Sequence, residues 1–270
     1  MTHSIAAPPT TRAIEVFSGI QGEGLNVGTR QIFIRFAGCD LRCDYCDSAH
    51  TWTAPDTCRI EKTPGDRDFE IHPNPVPLPL FLDWIDRQNQ PGLHDSISLT
   101  GGEPLLHTPF LEEFLPPLKQ RTGLPLYLET GGHRPQQLQR ILPHLDLVGM
   151  DIKLPSVSGE THWQAHQEFL SLCCAAGVEV FVKIIISDDT LEAELEQAAQ
   201  LVAGVNPLVT VFLQPVTPLS AGEMANFGDR PTPTIKSPAP TKVLAWQGMM
   251  KRWLQPVRVV PQTHKMLGQL

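Results

Sequence analysis

Eight short runs rich in β-branched and aromatic residues punctuate the chain: AIEVF (13–17), QIFIRFA (31–37), SISLT (96–100), PLYLE (125–129), DLVGM (146–150), EVFVKIII (179–186), VTVFL (209–213) and VRVV (257–260). Each reads as a strand. Helical patterns fall between them, over 79–89, 108–121, 135–142, 161–176, 190–203 and 241–254. The clearest apolar stripe at helical spacing is Leu191, Leu195, Ala198 and Val202. Thr108 and Pro109 read as an N-cap and first helical residue, and Pro116-Pro117 predicts an early end or kink of that helix. Strands alternating with helices predict an α/β protein with a mainly parallel sheet of about six strands. The first two strands lie too close for a crossover helix, so they are expected to pair as an N-terminal β-hairpin around GIQGEGLNVGTR.

No internal repeat interrupts this rhythm. Two proline-rich stretches, 53–79 and 215–240, read as surface loops, because the βα alternation resumes after each. Residues 1–12 read as a flexible tail, and 13–270 as a single domain.

The 270 residues suffice for one large core. A formal net charge of −8 without any block of five Lys/Arg speaks against a nucleic-acid footprint and for a small substrate. No apolar run approaches the roughly 20 residues of a membrane span, and the N-terminus lacks a secretory pattern, so no membrane partner and a cytoplasmic location are expected. In that setting the six cysteines are not a disulfide framework.

Three of them are clustered in AGCDLRCDYCDSAHTW: Cys39, Cys43 and Cys46, spaced C-x3-C-x2-C after the strand QIFIRFA. Thiolates at this density bind a soft metal, zinc or an iron–sulfur cluster. Structural zinc takes four protein ligands, and the nearest additional candidates, His50 and Cys58, fit no common zinc spacing. Three ligands and an open position suit a [4Fe–4S] cluster with one free iron. TGGEP (100–104) follows another strand; its glycines permit close backbone approach, and Glu103 can accept from an ammonium group. In IQGEG, Gln21 and Glu23 offer donor and acceptor edges for a flat heterocycle, and Arg35 offers a fork for a carboxylate.

The cysteine spacing and the GGE turn resemble the radical S-adenosylmethionine (SAM) superfamily. The resemblance implies a partial, open (βα)6-type barrel. It also implies SAM on the unligated iron, cleaved reductively to a 5′-deoxyadenosyl radical. IQGEG, FIRFAGCDLRCDYCDSAHTW, LTGGEP, LETGG and VRVVPQTHKMLG are together similar to the 7-carboxy-7-deazaguanine synthase family, in matching order from about residue 13 to the C-terminus.

That family implies a pterin substrate, 6-carboxy-5,6,7,8-tetrahydropterin, contracted to 7-carboxy-7-deazaguanine with loss of ammonia in queuosine-type biosynthesis. It implies substrate contacts at Ile20, Gln21, Gly22, Glu23, Arg35 and Thr100. SAM contacts are implied at Tyr45, Cys46, Asp47, Gly102, Glu103, Asp151, Ile152, Lys153 and Gln214, and a Mg²⁺ ligand at Ser48. His264 is a candidate for closing the pocket and acting as a base. A flavodoxin- or ferredoxin-type electron donor and a homodimer are the family's expected partners. The competing readings are a glycyl-radical-activating enzyme and a zinc-stabilised binding module. The first often carries further C-x2-C pairs, which this chain lacks, and the second requires a fourth ligand.

Overall fold

Along each central strand, alternate side chains face opposite ways, and the two faces differ in chemistry. On the strand 179–186, Val182, Ile184 and Ile186 join the main core, whereas Phe181, Lys183 and Ile185 face the other side. The same holds for Ile97 and Leu99 against Ser98 and Thr100, and for Leu126 and Leu128 against Tyr127 and Glu129. One face is therefore a continuous apolar seat for helices, and the other carries polar groups above a small apolar floor of Tyr127, Leu147, Phe181 and Phe212.

The computed structural model describes residues 7–230 and 234–268. In chain order the strands are β1 (Thr10–Thr11), β2 (Ala13–Ile20), β3 (Arg30–Phe36), β4 (Thr57–Glu61), β5 (Phe69–Pro73), β6 (Val76–Pro77), β7 (Ser96–Gly101), β8 (Leu126–Thr130), β9 (Leu147–Asp151), β10 (Glu179–Ile186), β11 (Thr210–Pro215) and β12 (Val257–Val259). The helices are α1 (Leu78–Gln88), α2 (Thr108–Thr122), α3 (Pro135–Ile141), α4 (Pro155–Ser158), α5 (Trp163–Ala176), α6 (Glu192–Val205), α7 (Ala221–Ala225), α8 (Pro240–Met250) and α9 (Thr263–Met266).

A ten-stranded sheet runs β12-β11-β10-β9-β8-β7-β3-β2-β4-β5. From β3 to β12 all neighbours are parallel, so β12 adds a seventh parallel strand to the six expected. Helices α1, α2, α3, α5, α6 and α8 follow the first six in turn and pack on one another in sequence order. This is an open α/β sheet of six βα units, not a closed barrel. The predicted hairpin is present: β2 pairs antiparallel with β3.

Three local expectations change. The stretch 53–79 is not a loop. It contributes β4 beside β2 and β5 beside β4, extending the sheet beyond the hairpin, while β6 pairs with β1. Consequently residues 10–11 belong to a strand rather than to a tail; residues 1–6 of the expected tail lie outside the described residues. Proline and charge hide these strands from the sequence: β5 is the edge of the sheet and β6 belongs to a two-stranded ladder, positions that tolerate proline, while β4 alternates Arg59 and Glu61 with apolar Cys58 and Ile60. The stretch 215–240 includes α7, opened by a capping box between Ser220 and Glu223; Pro231 and Pro233 lie outside the described residues.

Helix α2 does not stop at its prolines. Pro116 is exposed and Pro117 half-buried, so the carbonyls they leave unbonded, of Glu112 and Glu113, lie toward water. Phe110, Leu111, Phe114, Leu115 and Leu118 keep the opposite face in the core, and Gly123 at φ 67° ends the helix. Its N-cap is His107, one residue earlier than expected, while the Thr108 hydroxyl donates to the Leu105 carbonyl. In α6, Leu195, Ala198 and Val202 form the buried stripe, but Leu191 sits at the cap and is 55% exposed. No helix among the described residues is long and apolar enough to cross a membrane.

Candidate active site

A cavity of about 610 Å³ opens over the polar face of the sheet, at the C-terminal ends of the parallel strands. Strand ends converge there, where the backbone leaves the ladder and side chains are free to face a ligand. Cys39, Cys43 and Cys46 all line it, on the loop leaving β3. Gly38 N–H donates to Thr51 C=O at 2.7 Å, closing this loop at its base. All three cysteines are free thiols. Burial pushes Cys39 up to about 11 and Cys46 up to about 12, and raises Cys43 as well. Without metal the three sulfurs stay protonated at neutral pH, and a soft cation has to displace the protons.

The GGE turn packs directly on the cysteine loop. A Cβ on Gly102 would lie 2.0 Å from Gly38 O and 3.1 Å from Cys39 Cβ, and Gly101 has φ +125°. Only glycine fits either place. Glu103 is fully buried and differs from its expected role as a free acceptor. Its carboxylate takes hydrogen bonds from the Thr130 hydroxyl (2.8 Å), Gly131 N–H (2.9 Å) and Leu105 N–H (3.0 Å). It therefore ties the β7 turn to the β8 turn, beside the thiols.

The side of the cavity facing β9 and β10 is an ion-pair lattice. Asp151 accepts from Lys153 at 2.7 Å and lies 3.3 Å from Lys183, whose ammonium is also bonded to Glu23. Lys153 additionally lies 5.4 Å from the Tyr45 ring centroid. Burial works against charge on Lys153 and Lys183, but the surrounding carboxylates outweigh it and hold both above the ordinary lysine range. Glu23 is likewise buried, yet Lys183 holds it below the ordinary carboxylate range. Glu129 goes the other way: burial raises it more than Lys183 lowers it.

Gln21 does not present a free amide. Its Nε2 donates to Gln31 (3.1 Å) and Glu129 (3.0 Å), and its Oε1 accepts from Glu23 N–H (3.0 Å). The amide shapes the loop and leaves Glu23 as the acceptor. Arg35 reaches the cavity, but its Nε is bonded to Glu15 at 2.8 Å. Arg59, from the unforeseen β4, holds the other oxygen of Glu15 at 2.6 Å. Two guanidiniums share one carboxylate, so a net positive charge faces this end.

Ile20, Gly22, Thr100, Asp47, Ser48, Gln214 and His264 also line the cavity. Ser48 Oγ donates to Asp47 Oδ1 at 3.0 Å, and Asp47 accepts from Gln262 at 2.8 Å and pairs with Lys265 at 3.1 Å. Ile152 is the exception: its side chain is buried in the main core, and its N–H donates to Lys183 C=O. On a strand-end tripeptide, the middle residue of Asp151-Ile152-Lys153 faces away from its neighbours.

The strand end LET (128–130) reads from the sequence as a pocket element, and Glu129 lines the cavity; sequence reasoning missed Lys183, Gln262, Lys265, Glu15 and Arg59 as cavity residues. The first had a signal, a lone lysine inside an apolar strand, EVFVKIII. The last had none, because its strand was not foreseen.

Three free thiols from one loop, a glycine turn seated on that loop, and an open α/β sheet define the class as an enzyme built around a thiolate-held cluster with an external ligand. The soft, incomplete donor set fits a [4Fe–4S] cluster with SAM. The pattern of the Radical SAM superfamily matches residues 33–202. The chain is 44% identical over 265 residues to a 7-carboxy-7-deazaguanine synthase from Geobacter sulfurreducens, covering 97% of this chain and 99% of that protein. It is 33% identical to one from Thermococcus kodakarensis, over 77% of this chain and 85% of the other. Among solved structures, QueE from Escherichia coli shares the fold with a TM-score of 0.55 at 17% identity, covering 94% of each chain. The chain belongs to the 7-carboxy-7-deazaguanine synthase family of the radical SAM superfamily. This membership sets aside the glycyl-radical activator and the zinc module.

Proposed function

We propose that the protein converts 6-carboxy-5,6,7,8-tetrahydropterin to 7-carboxy-7-deazaguanine with loss of ammonia, as a step in 7-deazapurine biosynthesis. The observation that carries this reading is the convergence of the cysteine loop, the GGE turn and the IQGEG loop on one cavity, in a chain 44% identical to a protein of that name. When bound, the cluster and SAM supply a one-electron reductive cleavage that yields a 5′-deoxyadenosyl radical.

The protein's own residues do the rest. Cys39, Cys43 and Cys46 would hold the cluster. Gly102, Glu103, Tyr45, Asp47, Asp151, Lys153 and Gln214 surround the SAM side, and Ile152 supports them from the core. Ile20, Gly22, Glu23, Arg35 and Thr100 form the substrate side, with Gln21 bracing the loop. The positive end at Arg35 and Arg59 receives the substrate carboxylate, where charge-assisted bonds are strongest. His264, whose basicity burial lowers, is neutral at pH 7 and able to accept a proton beside Gly22. Ser48 would hold Mg²⁺ through its hydroxyl oxygen, and the ion would stabilise negative charge on the substrate. The reading also places the enzyme in the cytoplasm as a single-domain homodimer served by a flavodoxin- or ferredoxin-type donor.

The test is anaerobic reconstitution with iron and sulfide, followed by dithionite, SAM, Mg²⁺ and 6-carboxytetrahydropterin, with product followed by mass. Product that disappears in Cys43→Ala is the expected result. SAM cleavage without 7-carboxy-7-deazaguanine would sink the substrate assignment.

A further inference from the structure

Lys183 stands at the junction of the two sides of the cavity. It interrupts the apolar run of β10 and is flanked on its face by Phe181 and Ile185, so its ammonium has little water to turn to. It bonds Glu23 Oε2 on the IQGEG loop and lies 3.3 Å from Asp151 Oδ1 on β9. The other Glu23 oxygen accepts from Gln214 Nε2 and Gln262 Nε2, each at 2.9 Å. A carboxylate offers about four acceptor positions. Three are filled by the protein, and the remaining one is on the oxygen that Lys183 holds.

Glu23 sits on a loop after β2, not on a strand, and the cross-strand ladder does not orient its side chain. The amides of Gln214 and Gln262 are neutral and do not fix its charge. Lys183 does both.

We propose that Lys183 is a positioning residue for the substrate: it holds the Glu23 carboxylate as an ionised, oriented acceptor whose free lone pair receives a ring N–H or amino group of the pterin. The identity of that ring rests on the function proposed above; the Lys183–Glu23 linkage does not. The charged and titratable groups around Glu23 are Lys183 on β10, Asp151 on β9, Glu129 and Tyr127 on β8, Asp47 on the cysteine loop, and His264 on the C-terminal segment, with Lys265 against Asp47. Without Lys183, burial and the neighbouring Asp47 both act to protonate Glu23.

The test compares wild type, Lys183→Met and Lys183→Arg as holoenzymes with SAM, titrated with the fluorescent, redox-inert analogue 6-carboxypterin from about pH 5.5 to about pH 8.5. Wild type is expected to bind with a nearly flat profile. Lys183→Met should bind at least roughly tenfold more weakly at the acid end and recover as pH rises, and Lys183→Arg should restore the flat profile. Unchanged affinity in Lys183→Met, or a loss equal at every pH, would overturn the proposal.

Failure of wild type to bind 6-carboxypterin would instead count against the pterin reading. The linkage is then decided by carboxyl NMR on ¹³C-glutamate-labelled protein, with the Glu23 signal assigned by its loss in Glu23→Gln. Upward movement of its titration in Lys183→Met supports the linkage, and no movement overturns it.

Discussion

Gly22 and His264 touch so closely that a Cβ on Gly22 would lie 2.2 Å from His264 Nδ1 and 2.5 Å from its backbone nitrogen. The Gly22 carbonyl also accepts from Thr263 N–H at 3.1 Å. Two segments some 240 positions apart in sequence thus form one wall of the cavity, and backbone contact leaves no slack to accommodate a methyl group.

Gly22→Ala is therefore expected to displace the C-terminal segment rather than to unfold the protein. Stability should change by less than about 2 kcal/mol, because α9 is short and lies outside the main core, while KM for the pterin rises roughly tenfold or more. Thermal melting and steady-state kinetics on the same preparation check this. A melting temperature that collapses while KM holds would contradict it.

Gln262 donates both amide hydrogens, to Glu23 Oε1 at 2.9 Å and to Asp47 Oδ2 at 2.8 Å. Gln262→Glu replaces a shared donor with a third carboxylate at nearly the same volume. The repulsion should loosen residues 262–267 by about 1–3 kcal/mol, read as faster hydrogen exchange confined to that segment. Exchange at wild-type rates there would show that the amide is not what secures it.

Glu15 is buried and bonded by Arg35 at 2.8 Å and Arg59 at 2.6 Å. Burial raises its carboxyl, but the two guanidiniums outweigh that and hold it below the usual range. Its contribution to stability is therefore complete above the ordinary glutamate range and lost as pH falls through the lowered value. Glu15→Gln should cost on the order of 2–3 kcal/mol at neutral pH, less than a fully buried pair because Arg59 is partly exposed. Its stability should also fall less than wild type's on acidification. Urea unfolding at two pH values tests both statements.

His166 is fully buried, and burial pushes it down to about 3. The unfolded chain, with an ordinary histidine, takes up the proton first. Stability from this site is thus constant above about pH 6.5 and declines as pH falls toward the folded value, by about 2 kcal/mol at pH 5. In His166→Gln that difference between pH 7 and pH 5 should disappear. An identical pH dependence in variant and wild type would exclude His166 as its source.

The legible part of this protein is the part set by local pattern. Every strand read from an apolar run is present within a few residues, because the face that seats the helices must be apolar at every second position and the residues between are enriched in strand formers. The cysteine spacing and the GGE turn were legible because ligand geometry and close backbone approach each require particular residues at short separations. Strands β4 and β5 were not legible. They lie at the outer end of the sheet, with β5 as its edge, where Thr57 and Ile71 are exposed, Arg59, Glu70 and His72 are half-buried, and the period-two signal fades.

What the sequence determined alone was the alternation of βα units, the thiol set and the residues gathered around it. What the tertiary structure decided was which polar side chains face the cavity and which are already committed. Gln21 and Ile152 stand within motifs, yet one is braced by Gln31 and Glu129 and the other is sunk in the core. Lys183 and Arg59 belong to no short motif, and Glu129 and Gln262 stand in LETGG and VRVVPQTHKMLG without a role that the motif itself shows, yet all four shape the electrostatics of the site. The reason is physical: electrostatic partnership depends on distance through space and on burial. Both are set only when β2, β10 and the C-terminal segment, remote along the chain, are brought together around one cavity.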